Sequence, residues 1–203
     1  MSNTYFVTGI GTGIGKTTVS AVLTEKLNAD YWKPIQSGDL DISDSLLIKN
    51  LVSNTKTVIH PERYRLSQPL SPHLSARIDG IEISTADIQI PQTDNDLIIE
   101  GAGGLMVPLN TEELVLDLIK NLKVRIIVVS QNYLGSINHT LLTLEVLKAN
   151  QIEIEGLIFN GASNPETEHY IESFSKIKVL GRIPHMSVID KESVREAGRH
   201  ITL

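Results

Sequence analysis

The stretch Tyr5-Phe6-Val7-Thr8-Gly9-Ile10-Gly11-Thr12-Gly13-Ile14-Gly15-Lys16-Thr17-Thr18 decides the fold. Its first four residues are apolar or β-branched and read as a buried strand, whereas Thr17 to Leu27 places Val19, Val22, Leu23 and Leu27 on one helical stripe. Between them lies a glycine-rich turn. Glycine lets backbone N–H groups wrap closely around an anion, and the start of the following helix adds the positive end of its dipole. Strand, glycine loop, Gly-Lys-Thr-Thr and helix in that order read as a site for nucleotide phosphate. Lys16 would reach the outer phosphates, and the Thr17 hydroxyl would ligate Mg²⁺. The strict phosphate-loop spacing has four residues between its first glycine and Gly-Lys. Here five separate Gly9 from Gly15, and Ile10 holds the strict position, so the loop is a lengthened variant. Gly11-x-Gly13-x-x-Lys16 fails the dinucleotide fingerprint at its third glycine, which disfavours a nicotinamide or flavin cofactor.

Outward from this loop, further near-continuous apolar runs predict strands at Tyr31 to Lys33, Leu97 to Glu100, Val124 to Ser130, Gly156 to Asn160 and Val179 to Ile183. Unbroken rather than alternating apolar sequence belongs to strands covered on both faces. Helical patterns fall between them at Asp44 to Leu51, Glu112 to Leu122 and Ile137 to Leu147, with another start at Asn164-Pro165. The alternation predicts an α/β, three-layer fold of P-loop NTPase type with a mainly parallel central sheet, as one domain over residues 1–203. Pro61 to Pro91, with prolines also at 69 and 72, reads as a loop-rich excursion with short helices.

Composition removes whole classes of function. The chain contains no cysteine among its 203 residues, which excludes a disulfide scaffold, a thiolate zinc site and a cysteine nucleophile. No apolar run approaches the length of a membrane span. The first basic residue is Lys16, so no cationic leader is expected, and a cytoplasmic home is. The formal charge of −6 argues against nucleic acid as a partner.

Two more strand ends carry chemistry. Glu100 closes an apolar run before Gly101-Ala102-Gly103-Gly104, where a carboxylate can hold Mg²⁺ and small residues admit a ligand to the backbone. Lys33-Pro34-Ile35-Gln36-Ser37-Gly38 puts a lysine and a hydroxyl at a strand end that faces the ligand crevice of a parallel sheet. Taken alone, a strand-end lysine such as Lys33 is more often a solvated charge, and an aspartate such as Asp44 is usually a helix cap.

In combination and in chain order, these segments resemble the dethiobiotin synthetase family. The likeness extends through Ser43-Asp44, Ser71-Pro72-His73, Leu134-Gly135-Ser136-Ile137-Asn138-His139-Thr140, Phe159-Asn160, Gly181-x-Ile183-Pro184 and Gly198-x-x-Ile201-x-Leu203, and the lengthened loop is the family's form. It departs at Gly11, where many members carry an aspartate. The resemblance implies conversion of 7,8-diaminopelargonate, CO₂ and ATP into dethiobiotin, ADP and phosphate through a carbamate and its mixed anhydride with phosphate. It implies Lys16 and Lys33 as catalytic cations, and Thr17, Asp44 and Glu100 as Mg²⁺ ligands. ATP would be held by Gly13, Ile14, Gly15, Lys16, Thr17 and Thr18, together with Asp44 and Glu100-Gly101-Ala102-Gly103. Asn160, Gly161 and the turn Pro184-His185-Met186 would surround the base. Substrate contacts would come from Thr12, Ser37 and Gly135-Ser136-Ile137-Asn138, the last group near a homodimer interface.

Rival readings fail on specific residues. Asn54-Thr55-Lys56-Thr57-Val58 lacks the aspartate of a guanine-reading motif. Partition ATPases carry an extra lysine early in the loop, where this chain has Gly11. Related amide synthases need a fused glutaminase with a cysteine nucleophile, for which this chain has neither room nor residue. His60, His169 and His200 lie in scattered polar contexts, and His73 and His139 read as structural hydrogen-bonding groups.

Overall fold

The computed structural model describes residues 2–203. In chain order the elements are β1 (Thr4–Gly9), α1 (Lys16–Leu27), β2 (Asp30–Trp32), β3 (Ile35–Ser37), α2 (Asp44–Leu51), β4 (Ile59–His60), β5 (Tyr64–Leu66), α3 (Pro72–Ile78), β6 (Leu97–Glu100), α4 (Val115–Leu122), β7 (Arg125–Gln131), α5 (Ser136–Ala149), β8 (Ile154–Asn160), α6 (Pro165–Ser175), β9 (Val179–Ile183) and α7 (Lys191–Ala197). Seven strands form one sheet in the order β4-β2-β6-β1-β7-β8-β9. Every ladder in it is parallel.

The two-residue period of a strand divides the core into halves. Phe6, Ile99, Ile126, Val128, Leu157 and Phe159 point to one face, where Val115 and Ile119 of α4, Leu144 and Leu147 of α5 and Ile171 of α6 cover them. Tyr5, Val7, Tyr31, Ile98, Ile127, Val129 and Ile158 point to the other, beneath Val19, Val22 and Leu23 of α1, Ile48 of α2 and Val194 of α7. Burial on both faces explains the unbroken apolar runs.

Four details differ from the sequence reading. The helix expected from Glu112 begins at Val115, because the Asn110 Oδ1 accepts from the backbone N–H groups of Glu112 and Glu113, both at 2.7 Å, and fixes a turn there. Lys33 lies one residue beyond β2, whose extension is stopped by the missing N–H of Pro34. The proline-rich excursion holds α3 as expected, but also β5, which pairs in parallel with β3 in a separate two-stranded ladder. β4 and α7 are additions: β4 has two residues, and α7 is a seven-residue polar helix capped by Asp190, whose side chain accepts from Ser193 N.

Candidate nucleotide and substrate site

β1 and β6 are neighbours, yet the helices that follow them, α1 and α4, pack on opposite faces of the sheet. That reversal opens a crevice beyond their carboxyl ends, the usual ligand position in an open α/β sheet. The two loops that leave these strands meet closely there: a Cβ on Gly104 would stand 3.1 Å from the Gly9 carbonyl oxygen.

The phosphate-type loop is held from behind. Asn160, at the end of β8, donates from Nδ2 to the Ile14 carbonyl at 2.9 Å. Gly15 adopts φ +86°, and a Cβ there would lie 2.1 Å from that same Nδ2, so position 15 requires glycine on both counts. No side chain caps α1 and no acidic residue occupies its first turn. Its first N–H groups therefore face the crevice free to bind an anion. Lys16 is 7% exposed and donates to the Gly11 carbonyl at 2.9 Å. Burial lowers its pKa to about 8; Lys33 adds to the fall, and Glu100 and Asp44 oppose it.

Beside the loop, two carboxylates share one ammonium. Lys33 forms ion pairs with Asp44 and, at 2.9 Å, with Glu100 Oε1. Burial alone would depress its pKa, but Glu100 and Asp44 raise it above the ordinary lysine range, so Lys33 stays charged. The Thr17 hydroxyl lies 2.9 Å from both Asp44 Oδ1 and Glu100 Oε1. A hydroxyl has one proton, so it can donate to only one of the two. Three oxygens, Asp44 Oδ1, Glu100 Oε1 and the Thr17 hydroxyl, thus converge on one point, a set that suits a hard cation. Among the described residues no three His, Cys, Asp or Glu side chains converge. Two carboxylates and a hydroxyl match Mg²⁺, which keeps waters and phosphate oxygens as its remaining ligands.

A family model described as an AAA domain matches residues 3–193. The chain is 52% identical to the ATP-dependent dethiobiotin synthetase of Christiangramia forsetii, over 97% of this chain and 94% of that protein. It is 51% identical to the synthetase of Cytophaga hutchinsonii, over 94% and 92%. The chain belongs to the dethiobiotin synthetase family. It is accordingly a ligase of this kind. Among solved structures, the septum-site-determining protein MinD of Pyrococcus horikoshii, complexed with Mg-ADP, superposes with a TM-score of 0.61 at 16% identity, over 97% of this chain and 86% of that one. A ParA family ATPase from Chlorobium tepidum gives 0.56 at 14% identity, over 98% of both chains. These two share the fold.

The residues named from the synthetase resemblance divide into three groups. Thr12, Gly13, Gly15, Lys16, Thr17, Thr18, Lys33, Ser37, Asp44, Glu100, Ala102 and Gly103 line one cleft of about 670 Å³. Ser37 Oγ is buried there without a hydrogen-bond partner. Ile14 and Gly101 support the cleft from beneath: the Ile14 side chain is buried, and a Cβ on Gly101 would meet the Phe6 ring at 2.6 Å. A third set stands outside. Gly135, Ser136, Ile137 and Asn138 line a separate cleft with Ala162, Ser163 and Asn164. Asn160 and Gly161 end β8, and Gly161 N donates to the Ile183 carbonyl at 2.8 Å, which brings Pro184, His185 and Met186 to the same rim.

Three contributors escaped the sequence reading. Gln36 donates to the Gly38 carbonyl at 3.0 Å and accepts from Asp44 N at 3.3 Å, tying the Ser37 loop to the start of α2. Pro69, Leu70, Ser71 and Pro72 close the cleft opposite the phosphate-type loop. Tyr31 donates to Glu100 Oε2 at 2.9 Å. Tyr31 and Gln36 adjoin Lys33 and Ser37 in the sequence, and Ser71-Pro72 belongs to the resemblance, but nothing local shows which of them face the cleft. Two histidines make hydrogen-bond contacts within the fold: His60 Nε2 lies 3.1 Å from Asp30 Oδ2, and His139 Nδ1 lies 2.7 Å from the Tyr133 hydroxyl.

Proposed function

We propose that this chain, acting as one catalytic domain over residues 1–203, converts 7,8-diaminopelargonate, CO₂ and ATP into dethiobiotin, ADP and phosphate. The observation that carries the reading is the convergence of two buried ammonium groups, an oxygen cluster and the unpartnered Ser37 hydroxyl in one cleft beside an uncapped helix start.

One amine of the substrate adds to CO₂ and loses a proton, giving a carbamate. A carbamate oxygen then attacks the γ-phosphorus, and ADP leaves. The second amine attacks the resulting mixed anhydride at its carbonyl carbon, closing the ring and expelling phosphate. Negative charge gathers first on the carbamate and then on the transferring phosphoryl group, so fixed cations are the main catalytic requirement. Lys33 supplies one at the carbamate and Lys16 one at the γ-phosphoryl group. Gly13 to Thr18 cradle the phosphates, with Ala102 and Gly103 along the opposite wall. Ser37 and Thr12 orient the diamine. Thr17, Asp44 and Glu100 would hold Mg²⁺, which neutralises phosphate charge. Asn160, Gly161, Pro184, His185 and Met186 surround the adenine.

Gly135 to Asn138 open α5, whose start has no side-chain cap, and receive the substrate carboxylate. These residues lie in a cleft separate from the lysines, which fits a substrate that spans a homodimer interface. No helix among the described residues is long and apolar enough to cross a membrane. The proposed reaction is a cytoplasmic one.

A product assay tests the reading. Purified protein supplied with the diamine, bicarbonate and MgATP should release phosphate and form the cyclic urea in equal amounts. ATP turnover indifferent to the diamine, without a ureido product, overturns it.

A further inference from the structure

Glu100 is 1% exposed, and its two oxygens have different surroundings. Oε1 faces the cleft, where it meets Lys33 and the Thr17 hydroxyl, each at 2.9 Å. Oε2 turns away and accepts from the Tyr31 hydroxyl at 2.9 Å. Strand register produces this split. β2 and β6 run in parallel with Tyr31 opposite Ile98, so Glu100, two residues past Ile98, leaves the sheet on the same face as Tyr31. Tyr31 is itself fully buried, clamped in the apolar layer with Ile98, Val7 and Ile48. Its ring cannot follow Glu100 if the carboxylate rotates.

We propose that Tyr31 is a positioning residue that binds one oxygen of Glu100 and leaves the other alone to face the cation, making Glu100 a single-oxygen ligand and favouring Mg²⁺ over Ca²⁺. Mg²⁺ demands near-octahedral geometry with short bonds to single oxygens, whereas Ca²⁺ accepts higher coordination and two-oxygen carboxylates. With Oε2 held by a buried phenol and turned from the cleft, the two-oxygen geometry that Ca²⁺ exploits is disfavoured. The inference rests on the proposed reading of Thr17, Asp44 and Glu100 as cation ligands. Hydrogen-bond partners of metal ligands commonly set affinity by about 10–100-fold.

The test is Tyr31→Phe, which removes the hydroxyl and keeps the ring. Calorimetric titration of ADP into the wild type and the variant, at a series of Mg²⁺ and of Ca²⁺ concentrations, reads the cation preference without any turnover. We expect the Mg²⁺ concentration needed for half-maximal ADP affinity to rise about tenfold in the variant. The corresponding Ca²⁺ requirement should stay the same or fall, so that the preference narrows. Equal weakening with both cations, or no change with either, overturns the positioning role. A thermal unfolding curve on each protein accompanies the titrations, and a Tyr31→Phe protein that loses its cooperative transition is set aside. The variant Tyr31→Met then takes its place, because a flexible thioether fills the buried space without a strong donor, and an unchanged cation preference in Tyr31→Met also overturns the role. Wild-type ADP binding that ignores Mg²⁺ altogether defeats the cation-site reading itself, which is a different result from a Tyr31 variant that matches a Mg²⁺-dependent wild type.

Discussion

Two carboxylates in this molecule are equally hidden, and they are held in opposite ways. Asp30, at the start of β2, and Glu100, at the end of β6, are each 1% exposed. Asp30 accepts from Val58 N at 2.8 Å and Asn95 Nδ2 at 2.9 Å on one oxygen, and from Thr93 Oγ1 at 2.6 Å on the other, with His60 Nε2 at 3.1 Å. Burial alone would raise its pKa; these hydrogen bonds lower it instead. Glu100 has one donor of its own, Tyr31, and shares its other oxygen between a lysine that also pairs with Asp44 and a hydroxyl that also faces Asp44. Saturation by groups from two loops and β4 marks Asp30 as a staple for the amino-terminal edge of the sheet. Incomplete satisfaction by long or shared groups marks Glu100 as a place where a ligand can enter. Degree of burial says nothing of this distinction, whereas the inventory of donors draws it.

The comparison can be broken in three ways. The largest effect is expected from Lys33→Gln, which removes the charge proposed to act on the carbamate. Product formation should fall by about 10²–10³-fold, as for other removed transition-state donors, while calorimetry shows ADP affinity changed by less than about threefold. An equal loss of ADP affinity would move Lys33 from the reacting group to the nucleotide.

Asp30→Asn should show the reverse signature. Its amide NH₂ would face donors where a carboxylate oxygen now accepts, at a cost of about 2 kcal/mol. In a protein of this size that lowers Tm by about 6 °C. Product formation per folded molecule should be unchanged, and a variant with normal Tm and lost activity would erase the contrast between the two carboxylates.

The smallest effect is a pH dependence. Lys16 has its pKa lowered to about 8, from an ordinary 10.5, so its charge is lost in the free protein as pH rises through about 8. ADP affinity should fall about fivefold between pH 8 and pH 9, and Lys16→Met should flatten that slope. Because the unfolded chain holds this proton up to the ordinary lysine range, the group costs stability below pH 8. That cost diminishes as pH rises from about 8 to 10.5, so Lys16 contributes a rise of chemical-denaturation stability over that interval.

Legibility followed the physics of each element. Strands β1, β6, β7, β8 and β9 were readable because burial on both faces leaves an unbroken apolar run, and the lengthened loop because close backbone approach admits little besides glycine. β4, with two residues, carries no period to detect. α7 is polar and short, and its stability comes from the Asp190 cap and the single buried row of Val194 and Ala197. Gln36 and Pro69 to Pro72 could not be read as cleft residues, since what places them there is a ladder between β3 and β5 that pairs strands 27 or more residues apart.

The sequence by itself determined the chemistry available: which strand ends carry Lys33 and Glu100, which helix starts carry Lys16 and Asp44, the glycine positions of the loop, and the absence of any cysteine. Those are local facts, fixed by residue type and spacing. The tertiary structure alone decided which of these groups share a cleft. Lys33 and Glu100 are 67 residues apart and meet because β2 lies next to β6; Asn160 locks a loop 146 residues away because β8 ends beside it. Sheet order sets such meetings, and it is a property of the whole packed chain: each strand's apolar run can be buried beside several neighbours, and the sum of all pairings and crossovers selects one.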